Sequence, residues 1–147
     1  MKAQEVMTKD PSCVTPGATV REAARVMKEE NVGIVPVVES NSNRKLIGVV
    51  TDRDIAIRCI AEGRDGTCRV SDVMSSDDLT TCNADDDLDD VMNAMSNEQV
   101  RRIPIVDERG SLVGIVAQAD VLRKSHDDSR AADTVQDISK PSEKHSQ

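Results

Sequence analysis

Apolar residues recur along this chain at two spacings. Val20, Ala23, Ala24 and Met27 fall three or four residues apart and predict one face of a helix ending near Glu30. Thr19 precedes them with Glu22 three residues on, a capping-box pattern, while Asn31 suits the helix end and Gly33 the turn beyond. Ile34 to Val38 reads as a strand, kept short or irregular by Pro36, which cannot donate to a ladder. The polar Ser40-Asn41-Ser42-Asn43 predicts a hairpin loop, Lys45 to Thr51 the next strand, and Asp52 to Glu62 a helix closed by Gly63-Arg64-Asp65-Gly66. Ahead of these elements stand a short apolar clip, Val6 and Met7, and a brief extended piece, Val14-Thr15. Residues 67 to 72 read as a link between halves.

The second half replays the order. Leu88, Val91, Met92 and Met95 predict an inward helix face, opened by Asp85-Asp86-Asp87 and running to about Asn97. Three carboxylates there complement the free N–H groups of a helix start and need no metal to explain them. A hairpin follows, Ile103 to Val106 and Leu112 to Ala117, turning at Glu108-Arg109-Gly110, and then a short helix from Asp120 to about Ser125. Residues 127–147 are rich in Ser, Asp and Lys with few large aliphatics, which predicts a disordered tail.

The replay is a repeat in the strict sense. Gly48-Val49-Val50-Thr51-Asp52-Arg53-Asp54 returns as Gly114-Ile115-Val116-Ala117-Gln118-Ala119-Asp120, 66 residues later. Val35-Pro36-Val37-Val38-Glu39 returns as Ile103-Pro104-Ile105-Val106-Asp107 at a separation of 68, and Val6-Met7 as Val73-Met74 at 67. Read locally, the first motif is a buried strand ending at Thr51, whose hydroxyl caps a helix carrying Asp54 in its first turn. Two copies are too few for a solenoid. They imply a duplicated unit closing on itself about a pseudo-two-fold axis, with repeats at residues 5–63 and 72–126.

Composition narrows the chemistry. The 147 residues include no Phe, Trp or Tyr, so the core is aliphatic and any planar ligand lies between aliphatic groups. A net charge of −8, from 27 acids and 19 bases, opposes non-specific binding to nucleic acid or anionic membranes. No apolar run is long enough to span a bilayer, and Met-Lys-Ala-Gln-Glu-Val-Met has no signal-peptide core, so a cytoplasmic protein is expected. Cys13, Cys59, Cys68 and Cys82 lack the spacing of a zinc knuckle, and reduced thiols are expected. A redox role would require spatial pairing of these thiols. The two histidines, His126 and His145, lie near or in the polar tail, where neither serves a repeat as a general base, and no nucleophile-elbow, P-loop or dinucleotide fingerprint occurs, which argues against an enzyme.

The ordered set of Val-Met, helix, apolar-Pro-apolar-Val-Asp/Glu and Gly-apolar-apolar-Thr-x-x-Asp, present twice over roughly residues 5 to 125, resembles a tandem pair of cystathionine β-synthase (CBS) domains, or Bateman module. The resemblance implies an α+β fold of two βαββα-type repeats related by pseudo-two-fold symmetry, sheets packed together and helices outside. It also implies a regulatory binding function, with adenosyl compounds such as AMP, ADP or ATP held between repeats. In such a site the Asp of Thr-x-x-Asp accepts from the ribose hydroxyls, and residues before the apolar-Pro strand of the other repeat meet the phosphate.

Carried onto this sequence, the first cleft combines Thr51 and Asp54 with Thr81, Arg101, Arg102, Ile103 and Pro104. Two guanidiniums beside a phosphate give charge-assisted, bidentate bonds. The second, weaker cleft combines Asp120 with Thr15, Gly33, Ile34, Val35 and Pro36, where no basic pair occurs and Ala117 replaces the Thr. No cofactor is implied beyond the nucleotide, with Mg²⁺ compatible with ATP. The resemblance further implies a homodimer through helix faces bearing Met27, Ile55, Val91 and Val121, with the protein target unknown. The alternative is a structural CBS protein without a ligand, recruiting a partner through its tail.

Overall fold

The computed structural model describes residues 1–124, and the tail expected at 127–147 lies outside them. The chain divides into two compact units, one of Ser12–Leu79 and one joining Met1–Pro11 to the chain from Thr80 onward.

In the 12–79 unit, α1 (Val20–Glu30) starts as its sequence predicts. The Glu22 N–H donates to Thr19 Oγ1 at 3.2 Å and the Thr19 N–H to the Glu22 carboxylate at 3.1 Å. The helix ends at Asn31, whose φ of 55° is a left-handed conformation that asparagine tolerates. Strand β2 (Ile34–Val38) pairs antiparallel with β3 (Leu46–Thr51), placing Ile34 opposite Thr51 and Val35 opposite Val50, with a bulge at Val37/Val38. The bulge accommodates the irregularity expected of the proline strand. Single bridges extend the pair on both sides, Val14 with Val37 and Ser75 with Val49. Val20, Ala23 and Met27 of α1 pack with Val35, Val37 and Val50 of the strands in one aliphatic core.

Two expectations are corrected in this unit. The helix from Asp52 to Glu62 is α-helical only as α2 (Asp52–Ile55). Ala56–Ile60 widens into a π turn, closed by the Ala61 N–H on the Ala56 carbonyl at 2.9 Å. The extra residue in the turn sets Cys59 fully into the core while Ile57 and Ile60 stay exposed. Residues 67 to 72 are more than a link, because Val70 is fully buried and Cys68 is only 8% exposed in the same core.

The other unit follows the same plan with its outer strands longer. Its sheet has the order β1 (Thr8–Lys9), β6 (Leu112–Ala117), β5 (Arg102–Val106), β4 (Cys82–Asn83). β4 runs parallel to β5 and the other neighbours are antiparallel. Leu88, Val91, Met92 and Met95 of α3 (Leu88–Glu98) are buried against it as predicted, and α4 (Gln118–Lys124) follows β6 directly. Ala3 and Val6 join that core, and the Met1 carbonyl accepts the Leu88 N–H at 2.8 Å. Asp87 caps nothing with its side chain. Lys2 Nζ holds it at 2.9 Å and keeps its carboxyl below the ordinary aspartate value.

The repeated Val-Met pairs explain the repeated glycines. A Cβ on Gly48 would stand 2.8 Å from the Ser75 carbonyl oxygen and 3.3 Å from Met74 Sδ. One on Gly114 would overlap Met7 Sδ and stand 3.0 Å from the Thr8 carbonyl oxygen. Each Val-Met segment thus lies against the central strand of the unit it joins, and Met7 reaches a strand of the second repeat. Met27, Val91 and Val121, expected on faces awaiting a partner, are instead only 8%, 0% and 3% exposed and belong to the aliphatic cores. No helix of the described residues is long and apolar enough to cross a membrane.

Candidate functional site

The Thr-x-x-Asp junction forms because β3 runs directly into α2. The Thr51 hydroxyl accepts the Asp54 N–H at 3.0 Å, and Asp54 Oδ2 accepts the Thr51 N–H at 3.0 Å. The capping box therefore uses one carboxylate oxygen. The other, Oδ1, has Arg58 Nε at 3.9 Å, a long ion-pair contact, while Arg58 Nη1 donates at 3.2 Å to the carbonyls of Val73 and Met74. The (i, i+4) spacing of Asp54 and Arg58 was readable in the sequence, and Arg58 is the neighbour that motif reasoning left out. The Asp52 N–H donates to the Gly33 carbonyl at 2.9 Å, so Gly33 and Ile34 lie beside Thr51 at one end of the β2–β3 hairpin.

The second junction is built differently. Asp120 Oδ2 accepts the Ala117 N–H at 3.3 Å, and Oδ1 is held by Arg123. Asp120 is buried with both oxygens engaged, and Ala117 offers no hydroxyl. Arg102 lies opposite Ala117 in the β5–β6 register, and the Arg101 carbonyl accepts the Gln118 N–H at 2.8 Å. Arg101 is exposed and Arg102 half-buried, and among the described residues no carboxylate forms an ion pair with either.

Thr51, Asp54, Thr15, Gly33, Ile34, Val35 and Pro36 belong to the 12–79 unit, whereas Thr81, Arg101, Arg102, Ile103, Pro104 and Asp120 belong to the other. Each residue set inferred from the family pattern thus draws on both units. Ile103 and Val35 are fully buried in the aliphatic cores, Pro36 and Pro104 are buried, and Thr81 is exposed just before β4. Among the described residues no group of three or more His, Cys, Asp and Glu gathers as a metal site.

Two units of one strand–helix plan, each running its central strand into an aspartate-closed helix start, define a duplicated α+β repeat protein. The CBS domain description matches residues 3–59 and 70–127, and the chain belongs to the CBS domain family. It is 43% identical over 136 residues to the CBS domain-containing protein YhcV of Bacillus subtilis, covering 92% of this chain and 94% of that one. The crystal structure of Hypoxic Response Protein I with two coordinated zinc ions superposes at a TM-score of 0.76, with 32% identity, over 85% of this chain and 99% of that one. CBSX2 in complex with AMP gives a TM-score of 0.71 at 26% identity, over 92% and 98% of the two chains.

Proposed function

We propose that this CBS pair is a non-enzymatic regulatory module that binds an adenine nucleotide through Thr51, Asp54, Arg101 and Arg102. The observation that carries the reading is the inequality of the two junctions. Asp54 keeps one oxygen with only a 3.9 Å ionic contact, and Arg101 and Arg102 have no described carboxylate to satisfy, whereas Asp120 is engaged at both oxygens. A carboxylate oxygen held only by that long contact suits the paired hydroxyls of a ribose, and two guanidiniums with no ion pair among the described residues suit a phosphate. The AMP complex of CBSX2 supports the ligand class. Mg²⁺ would accompany the ligand only if it is ATP. The second reading, an interaction protein without a ligand, draws on Ala117 standing where a threonine hydroxyl would be.

The test is thermal unfolding with and without AMP, ADP and ATP, each with and without Mg²⁺. A ligand at 100 times its Kd stabilises by about 2.7 kcal/mol, so a clear, concentration-dependent rise in Tm is expected for at least one nucleotide. No rise with any of them at millimolar concentration would leave the interaction-protein reading standing.

The proposal includes a homodimer. Ile57, Ile60 and Leu122 are 44%, 60% and 45% exposed, aliphatic surface that a second copy would cover. Light scattering should give twice the 16.0 kDa chain mass at micromolar concentration, and a particle of one chain mass would refute the dimer.

A further inference from the structure

Two of the four cysteines meet in the 12–79 unit. Cys59 lies on the π turn after α2, and Cys68 follows the Gly63–Thr67 loop. Cys59 Sγ donates to the Asp65 carbonyl at 3.2 Å, and the Cys68 N–H donates to that same carbonyl at 3.1 Å. One acceptor therefore fixes both residues, and both side chains pack in the same aliphatic core. The Arg64 N–H closes the loop from its other side, 3.0 Å from the Cys59 carbonyl. The remaining cysteines have other surroundings. Cys13 lies 3.4 Å from Arg44 Nη1, and Cys82 sits in the core of the other unit, where burial pushes its thiol up to about 11.

Access to the pair is one-sided. Cys59 is fully buried, while Cys68 is 8% exposed and lines a surface pocket of about 410 Å³ with Gly63, Arg64, Thr67 and Asp72. Burial holds the Cys68 thiol above its ordinary value and the Asp72 carboxylate, 3.9 Å from Cys68 Sγ, adds to that; Arg64, bonded to Asp72 at 3.0 Å, opposes both with its positive charge.

We propose that Cys59 and Cys68 form a reversible redox site, with Cys68 as the attacking thiol at the pocket and Cys59 as the buried resolving thiol. The oxidant is a small hydroperoxide. The Cys68 sulfur attacks one peroxide oxygen and the O–O bond breaks; Cys68 becomes a sulfenic acid, and the other peroxide oxygen takes the thiol proton and leaves as water, or as an alcohol from an organic hydroperoxide. The Cys59 sulfur then attacks the Cys68 sulfur, the S–O bond breaks, and the departing oxygen takes the Cys59 proton and leaves as water. The two thiols together lose two electrons and the peroxide gains them. A dithiol reductant reverses the bond by exchange. The disulfide would tie the turn that follows Thr51 and Asp54 to the segment carrying Val70, Val73 and Ser75, the last of which pairs with β3.

The test is hydrogen peroxide treatment of the full chain, alkylation and peptide mapping without reductant. A Cys59–Cys68 cross-linked peptide is expected, with an intact monomer lighter by two hydrogens before alkylation and with Cys13 and Cys82 still alkylated. The oxidised chain should melt several degrees higher, and dithiothreitol should abolish the shift. Cys59→Ser should leave Cys68 trappable by dimedone as a sulfenic acid, and Cys68→Ser should leave Cys59 fully alkylatable. The unsubstituted chain alone can overturn the proposal, even if a variant fails to fold. Cys59 and Cys68 both alkylated after exposure that oxidises Cys13, or either one cross-linked elsewhere, would refute it.

Discussion

Arg102→Ala is expected to weaken AMP, ADP and ATP roughly ten- to a hundredfold and to leave adenosine binding unchanged. Loss of one charged hydrogen bond costs about 1.5–3 kcal/mol, and adenosine has no phosphate to lose it from. Asp54→Ala should weaken all four, since all carry the ribose hydroxyls, and Asp120→Ala should weaken none appreciably. Asp54 also accepts the Thr51 N–H at 3.0 Å, so its removal should cost about 1 kcal/mol of stability, and folding of that variant must be checked first. Calorimetry is the suitable probe, because the chain has no Trp or Tyr to report by fluorescence. Removing both side chains tests whether they serve one ligand, through a non-additive loss in the double-mutant cycle. Unchanged AMP affinity in a folded Arg102→Ala protein would sink the phosphate assignment. Loss on Asp120→Ala but not on Asp54→Ala would mean that the second junction is the binding one.

Deleting residues 1–9 should cripple the unit built from the second repeat and spare the first. The deletion removes Ala3 and Val6 from the core, the β1–β6 ladder, and the Met1 carbonyl that receives the first N–H of α3. Burial of one valine is worth about 1.5–3 kcal/mol, and the lost hydrogen bonds add about 1 kcal/mol each, so a loss on the order of 3–5 kcal/mol is expected. Hydrogen exchange should show protection falling in α3, β5 and β6 and persisting in α1, β2 and β3. The opposite pattern would contradict the division into units described above.

Much of the local structure was legible because it depends on neighbours in sequence. Thr19 and Glu22 fix the start of α1, Asn31 its end, and Leu88, Val91, Met92 and Met95 the buried face of α3. The Thr51–Asp54 capping box was equally plain. What escaped depends on residues far apart. Nothing in Val6-Met7 says that the pair lies on Gly114, and nothing in Cys68 or Val70 distinguishes a core residue from a link. The π turn was missed because its cause is the inward demand on Cys59, set by tertiary packing rather than by propensity. Met27, Val91 and Val121 were misassigned as partner faces, since apolar spacing marks a buried side without saying what buries it. The site residues came from the resemblance of the duplicated motif to CBS pairs. The structure adds Arg58 and Arg123, whose spacing from Asp54 and Asp120 makes one carboxylate more available than the other.

The antiparallel pairing of Thr8 with Ile115 also sets the order in which the protein can be made. Residues 12–79 are contiguous, so that unit can close while the remainder is still being translated. Strand β1, although synthesised well before β6, has no partner to pair with until residue 115 has left the ribosome. Until then Val6 and Met7 remain uncovered, and their loop closes late across nearly the whole described chain. A two-residue strand keeps that waiting edge short, which limits the surface it offers to other nascent chains.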